Sequence, residues 1–247
     1  MPHLEFSLQQ PAVLVWVAAL AFAAGLVRGY TGFGGPAIMV VVLTYWFAPV
    51  SVMGKVLVMD LMANVKLFTS VLSDVDWKHV LLLTGACILG IPVGLWALTW
   101  VADDVMQQFV ALLALVCAAI LLSGFRLKRP PGIGLSLTVG AISGVAMSGA
   151  GIALIAMTFL FSGPSSTRQS RANAVVWLFI VTFVILAGYL ATGVLTLDDI
   201  WRAALMGLAY LGGAIVGARK FDQSAEATVR RAAVALLFVL ALVGVIL

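Results

Sequence analysis

The sequence predicts an all-α, polytopic membrane protein made of two inverted five-segment repeats, with short helical hairpins meeting near the bilayer midplane. Three observations lead there: an apolar composition, basic residues that fall on one face, and a series of motifs that occurs twice in the same order.

Of 247 residues, 63% are hydrophobic and only 10% are charged. A soluble domain uses about 25% charged residues to cover its surface, so the outside of this chain must face lipid. Residues 1–247 read as one membrane domain with no room for a second, soluble one. No ten-residue stretch alternates at period two, which argues against barrel strands. Met1-Pro2-His3-Leu4-Glu5 lacks the basic start of a secretory signal, so the first helix is expected to be retained. The net charge of +4 fits a bias in cytoplasmic loops rather than nucleic-acid binding. Cys87 and Cys117 lie in apolar segments, form no C-x-x-C, and read as small buried hydrophobes. His3 and His79 are far apart, so neither a metal nor another cofactor is expected. Nothing resembles a phosphate-binding loop, so ATP is not expected to drive the protein directly.

Apolar runs place segments at 12–28, 31–47, 50–72, 78–100, 105–124, 133–147, 149–162, 167–194, 200–218 and 228–247. About 20 apolar residues span a bilayer, so the run 133–162 is too long for one crossing and too short for two. Charge decides the matter. If 133–162 is a hairpin that enters and leaves on one side, then Lys78, Arg126, Lys128, Arg129, Arg168, Arg171, Arg219, Lys220, Arg230 and Arg231 share one face. The positive-inside rule makes that face cytoplasmic, and Asp103, Asp104, Asp198 and Asp199 fall opposite. Both termini are then non-cytoplasmic, in what reads as the inner (cytoplasmic) membrane of a bacterium.

The chain also repeats itself. Thr31-Gly32-Phe33-Gly34 is echoed by Ser148-Gly149-Ala150-Gly151, and Ala48-Pro49-Val50-Ser51 by Gly163-Pro164-Ser165-Ser166. Asp76-Trp77-Lys78 is echoed by Asp199-Ile200-Trp201-Arg202, and Gly90-Ile91-Pro92-Val93-Gly94 by Gly213-Ala214-Ile215-Val216-Gly217. The offset stays at roughly 115–124 residues, dividing the chain into 12–124 and 133–247 around a basic linker. Five segments per half make the second half inverted, the usual architecture of secondary transporters.

The hairpin tips carry the candidate chemistry. Arg28, Tyr30, Thr31, Gly32, Phe33, Gly34 and Gly35 form the first; Ser148, Gly149, Ala150 and Gly151 form the second. Glycine lets backbone approach a ligand, and each tip leads into a helix start whose free N–H groups favour an anion. Thr31 and Ser148 add hydroxyls at matching places. Arg28 is a charge in a long uncharged stretch, fitting direct anion contact, or else snorkelling or capping of carbonyls at the tip. Asp60, the one acid inside a predicted span, shares a helix face with Asn64. It fits two roles: exchanging a proton that couples transport, or serving as counter-ion to a lysine or to Arg28. Lys55 and, by the repeat, Arg171 lie just inside opposite ends, where they could draw an anion in. Gly90/Gly94, Gly140/Gly144 and Gly213/Gly217 have the spacing of helix-packing motifs. Trp77, Trp100 and Trp201 near segment ends fit interfacial belts.

The glycine-rich tip Gly32-Phe33-Gly34-Gly35-Pro36, its echo at 148–151, Asp76-Trp77-Lys78 and the paired Gly-x-x-x-Gly together resemble the sulfite exporter TauE/SafE family, across essentially the whole chain. The resemblance implies transport of a sulfur-containing anion such as sulfite or an organosulfonate, coupled to protons in at least some members. The expected partners are therefore a small anion, protons and the lipid bilayer. Two other classes fit less of the sequence. An uncoupled anion channel would carry current without proton movement. A membrane thiol-redox protein would need cysteines near helix breaks, and Cys87 and Cys117 are not so placed.

The charge count makes a prediction. A reporter active only in the cytoplasm, fused after Leu247, should stay silent; full activity would overturn the hairpin assignment and the inverted repeat with it.

Overall fold

A computed structural model describes residues 11–222 except residue 45, residue 152 and most of 102–130. The expected segments 105–124 and 228–247, Cys117, His3, Asp103, Asp104, Arg230, Arg231 and the linker residues Arg126, Lys128 and Arg129 lie outside the described residues. The described part is helical: α1 Pro11–Thr31, α2 Gly35–Leu43, α3 Pro49–Val71, a short 3-10 turn Leu72–Asp74, α4 Trp77–Trp100, α5 Ile133–Ala150, α6 Leu154–Ser162, α7 Thr167–Ala191 and α8 Leu197–Asp222. Five of these, α1, α3, α4, α7 and α8, are long and apolar enough to cross a membrane.

Local chemistry explains where the helices start and stop. Pro49 opens α3, where its missing N–H costs nothing. Asp76 caps α4 by accepting from the His79 N–H at 3.2 Å, and Ser166 caps α7 by accepting from the Gln169 N–H at 3.2 Å. Gly32 and Gly34, with φ of 86° and 88°, break the chain between α1 and α2. Gly151, with φ of 69°, ends α5. The start of α2 then turns back on α1, because a Cβ on Gly35 would come within 2.8 Å of the Ala24 carbonyl oxygen and of the Arg28 Cβ.

The second break lies later than the sequence suggested. The helix expected to stop at 147 runs on to Ala150, so Ser148, Gly149 and Ala150 form its last turn and only Gly151 enters the turn. Two interactions keep these residues helical. The Ser148 hydroxyl lies 2.7 Å from the Gly144 carbonyl oxygen one turn back, and Gly149 packs against Gly94 of α4. Likewise α1 continues past 28 to Thr31, so Arg28, Tyr30 and Thr31 belong to its last turn.

Two glycine seams join helices that lie far apart in the chain. α4 packs on α5, and α8 packs on α1. In the first seam a Cβ on Gly90 or Gly144 would fall on the carbonyl oxygen of Ala141 or Cys87; in the second, a Cβ on Gly29 or Gly213 would fall on that of Ala214 or Phe22. Backbones approach this closely only where both faces are small. Gly25 and Gly29 of α1 have the same spacing as Gly140 and Gly144 of α5. They face Gly213 and Gly217 of α8 across the second seam. Large apolar side chains such as Leu89, Val93, Trp96 and Trp100 of α4 remain exposed, as a lipid-facing surface requires.

Overpacking a close seam costs about 1–3 kcal/mol. Gly29→Ala and Gly144→Ala should each lower the thermal midpoint of the purified protein. Gly85→Ala, at an exposed helical position with nothing within 4 Å of its Cβ, should leave the midpoint unchanged or raise it. Equal behaviour of all three variants would remove the seams from the account.

Candidate functional site

Behind the first break lies a closed polar cluster with no exposure to solvent. Arg28 of α1 and Asp60 of α3 form an ion pair, Nε to Oδ1 at 2.7 Å, and both are 0% exposed. The other two guanidinium nitrogens donate to the Gly32 carbonyl oxygen and to Asn64 Oδ1. Asn64 Nδ2 donates to Asp60 Oδ2 at 2.8 Å, and Tyr210 of α8 donates its hydroxyl to Asp60 Oδ1 at 2.8 Å. Asp60 and Asn64 meet here because four residues is one helical turn. A charge stripped of water is tolerable only when paired and hydrogen-bonded, and here each guanidinium nitrogen and each carboxylate oxygen has a protein partner. Asp60 is the only buried acid among the described residues. Arg28 therefore faces inward, with one nitrogen holding the carbonyl of the turn glycine Gly32.

The rest of the first tip is shaped by neighbours. Thr31 Oγ1 lies 2.6 Å from the Phe33 carbonyl oxygen and accepts from the Phe33 N–H at 3.3 Å, so this hydroxyl shapes its own turn. The Phe33 ring is buried, 5.0 Å from that of Phe161 in α6. Gly32 is overlaid by Arg171 of α7, whose Cγ would lie 2.7 Å from a Cβ there. The Arg171 guanidinium donates to the Gly29 carbonyl oxygen at 2.8 Å and sits 4.0 Å from the centre of the Phe221 ring. Tyr30 is half-buried, and its backbone nitrogen lies beside Gly217 of α8.

The second tip is held by neutral bonds. Tyr189 of α7 donates its hydroxyl to the Ser148 carbonyl oxygen at 2.6 Å, and Ser148 Oγ lies 3.0 Å from the Ile91 carbonyl oxygen of α4. Gly149 packs at the α4 seam, and Gly151 faces Val40 of α2 and Met53 of α3. Lys55, on α3, is not at either tip: it pairs with Asp199 at the start of α8 at 2.9 Å and donates to the Ser51 carbonyl oxygen.

The two tips meet around a cavity of about 20 Å³, lined by Phe33, Gly34, Pro36 and Ala37 from the first, Met147, Gly151, Ala153, Leu154 and Met157 from the second, and Leu178 of α7. That is room for about one water molecule. Both α2 and α6 begin at this cavity, and neither start is capped by a side chain. Of the residues singled out by sequence, Phe33, Gly34 and Gly151 line it; the Arg28–Asp60–Asn64 group sits behind it. Tyr210 and Tyr189, which hold the two tips, carried no sequence signal, since a tyrosine in an apolar span is ordinary.

Broken helices meeting inside a membrane-spanning bundle, with irregular backbone enclosed by protein, are the architecture of a multi-pass membrane transporter. The chain belongs to one family of them: it matches the sulfite exporter TauE/SafE family over residues 17–244. No curated protein and no solved structure matches it. Among the described residues no group of three His, Cys, Asp or Glu side chains could hold a metal ion.

Removing one partner of a buried ion pair costs about 3–5 kcal/mol because the other charge is stranded. Asp60→Asn and Arg28→Gln should each lower the unfolding midpoint markedly. The double variant should lose less than the sum of the two. Additive losses in this double-mutant cycle would show that Arg28 and Asp60 are not energetically joined.

Proposed function

We propose that the protein is a secondary transporter that moves a small sulfur-containing anion, sulfite or an organosulfonate, across the cytoplasmic membrane. We further propose that the anion passes between the two helix breaks. The observation that carries this reading is the cavity at which both breaks meet, since two uncapped helix starts there offer backbone N–H groups and positive dipole ends to an anion. Family membership supplies the substrate class. The two glycine seams favour two structurally equivalent halves, inverted relative to each other as the charge count requires.

The cavity holds about one water and is too small for a sulfonate, so binding requires the tips to separate. This favours a carrier that opens and closes over an open channel. Phe33, Gly34 and Gly151 are then the residues nearest the anion. Thr31, Gly32, Gly35, Ser148, Gly149 and Ala150 shape the two tips, and Arg28, Asn64, Asp60 and Arg171 support the first. The saturated carboxylate of Asp60 favours its role as permanent counter-ion to Arg28 over that of proton carrier. Lys55, held by Asp199, joins α3 to α8 near the opposite face.

Reconstituted protein should take up labelled sulfite or sulfonate and discriminate against carboxylates of similar size. Ala153→Leu, which fills the cavity from a partly exposed position, should reduce uptake at least tenfold in a protein with wild-type thermal stability. Undiminished uptake in that variant would move the anion path away from the tips.

A further inference from the structure

We propose that transport is electrogenic: each anion crosses with its charge uncompensated, no proton is exchanged for it, and the membrane potential drives it outward. The proposal rests on reading the tip cavity as the anion site, and it concerns what supplies the energy there.

The first ground is the surroundings of Asp60. Its carboxylate accepts from Arg28 on α1, from Asn64 on its own helix and from Tyr210 on α8, and all four residues are 0% exposed. A proton carrier spends part of its cycle neutral. Neutralising Asp60 strands Arg28 in a dry interior, where an uncompensated charge is strongly unfavourable. An incoming anion could take over as partner to Arg28 only by reaching it. None of Arg28, Asp60, Asn64 and Tyr210 lines the cavity, and the third guanidinium nitrogen is engaged by the Gly32 carbonyl oxygen.

The second ground is the cavity wall. Its ten described residues are apolar or glycine, with no ionisable side chain among them. An anion arriving there meets backbone dipoles, which carry no exchangeable charge. Elsewhere in the sequence, every acid other than Asp60 lies near a loop or terminus. His79 lies in the first turn of α4, its ring 5.5 Å from that of Phe159, and is not part of the wall.

The consequence is directional. A negative charge leaving an inside-negative compartment gains about 2.3 kcal/mol per 100 mV, equal to an outward gradient of about 50-fold for a monoanion. Export of an anion under such a potential needs no co-transported ion.

The full chain would be reconstituted in liposomes with a trapped pH dye, using labelled sulfite and methanesulfonate as probes. Methanesulfonate stays ionised near neutral pH and so cannot itself ferry a proton. Exchange without any gradient is measured first, then net flux under a potassium–valinomycin potential at equal pH, then flux under a pH gradient at zero potential. The expected result is exchange of at least one probe, net movement toward the positive side that approaches about 50-fold per 100 mV for a monoanion, and, with methanesulfonate, an unchanged internal pH. With methanesulfonate, accumulation that follows the pH gradient at zero potential, or a pH change in step with the anion, would overturn the proposal. So would exchange that gives no net flux under a potential, which is obligate antiport. Absence of exchange with both probes would overturn the reading of the site itself, and this proposal with it.

Discussion

The ion pair between Arg28 and Asp60 is the interaction around which the first half of the site is arranged. Both side chains are fully buried, so the guanidinium and the carboxylate must satisfy each other and be completed by protein groups. That requirement draws three helices together: α1 supplies the arginine, α3 the aspartate and Asn64, and α8 the Tyr210 hydroxyl. It also fixes the turn, because one guanidinium nitrogen holds the Gly32 carbonyl oxygen. A break in a transmembrane helix exposes backbone groups that lipid cannot satisfy. Here the buried charge stabilises the broken end, and the broken end satisfies part of the charge.

The glycine seams make that arrangement possible. Tyr210 reaches Asp60 because α8 lies against α1 at backbone contact, where Gly25 meets the Tyr210 carbonyl oxygen and Gly213 meets that of Phe22. A side chain at either position would move α8 outward and lift the hydroxyl off the carboxylate. The matching seam between α4 and α5 brings Ser148 to the Ile91 carbonyl oxygen. The two tips thus share a packing scheme and differ in electrostatics: the first is held by a charged cluster, the second by neutral hydrogen bonds from Tyr189 and Ser148. That difference places a fixed, internally neutralised pair on one side of the cavity, whose described lining residues carry no ionisable group.

Much of this was legible in the sequence, for identifiable reasons. Helices α3, α4, α7 and α8 follow from apolar runs bounded by Pro49, Asp76, Ser166 and a polar turn, signals that are local. The two breaks follow from glycines at matching places in two apolar stretches. Arg28 and Asp60 stood out because a charge inside an apolar span is costly and demands a reason. Their pairing was one of several arrangements the sequence allowed, because 32 residues separate them and Lys55 lay closer to Asp60 on the same helix. Lys55 instead meets Asp199, a partner 144 residues away whose position depends on how α8 packs. Tyr210 and Tyr189 were invisible for the same reason: a tyrosine becomes informative only when its hydroxyl has a place to go. The later end of α5 was missed because Ser148 and Gly149 read as turn formers, while their contacts with Gly144 and with α4 keep them helical.

The account's central claim is that the anion is held between the two breaks by backbone, with the charged pair standing behind. An experimental density map of the protein saturated with its anion tests this most directly. The account predicts density for the anion between Gly34 and Gly151, within hydrogen-bond reach of the starting turns of α2 and α6, with Arg28 still on Asp60. Density seated on the Arg28 guanidinium, with Asp60 turned away, would contradict it.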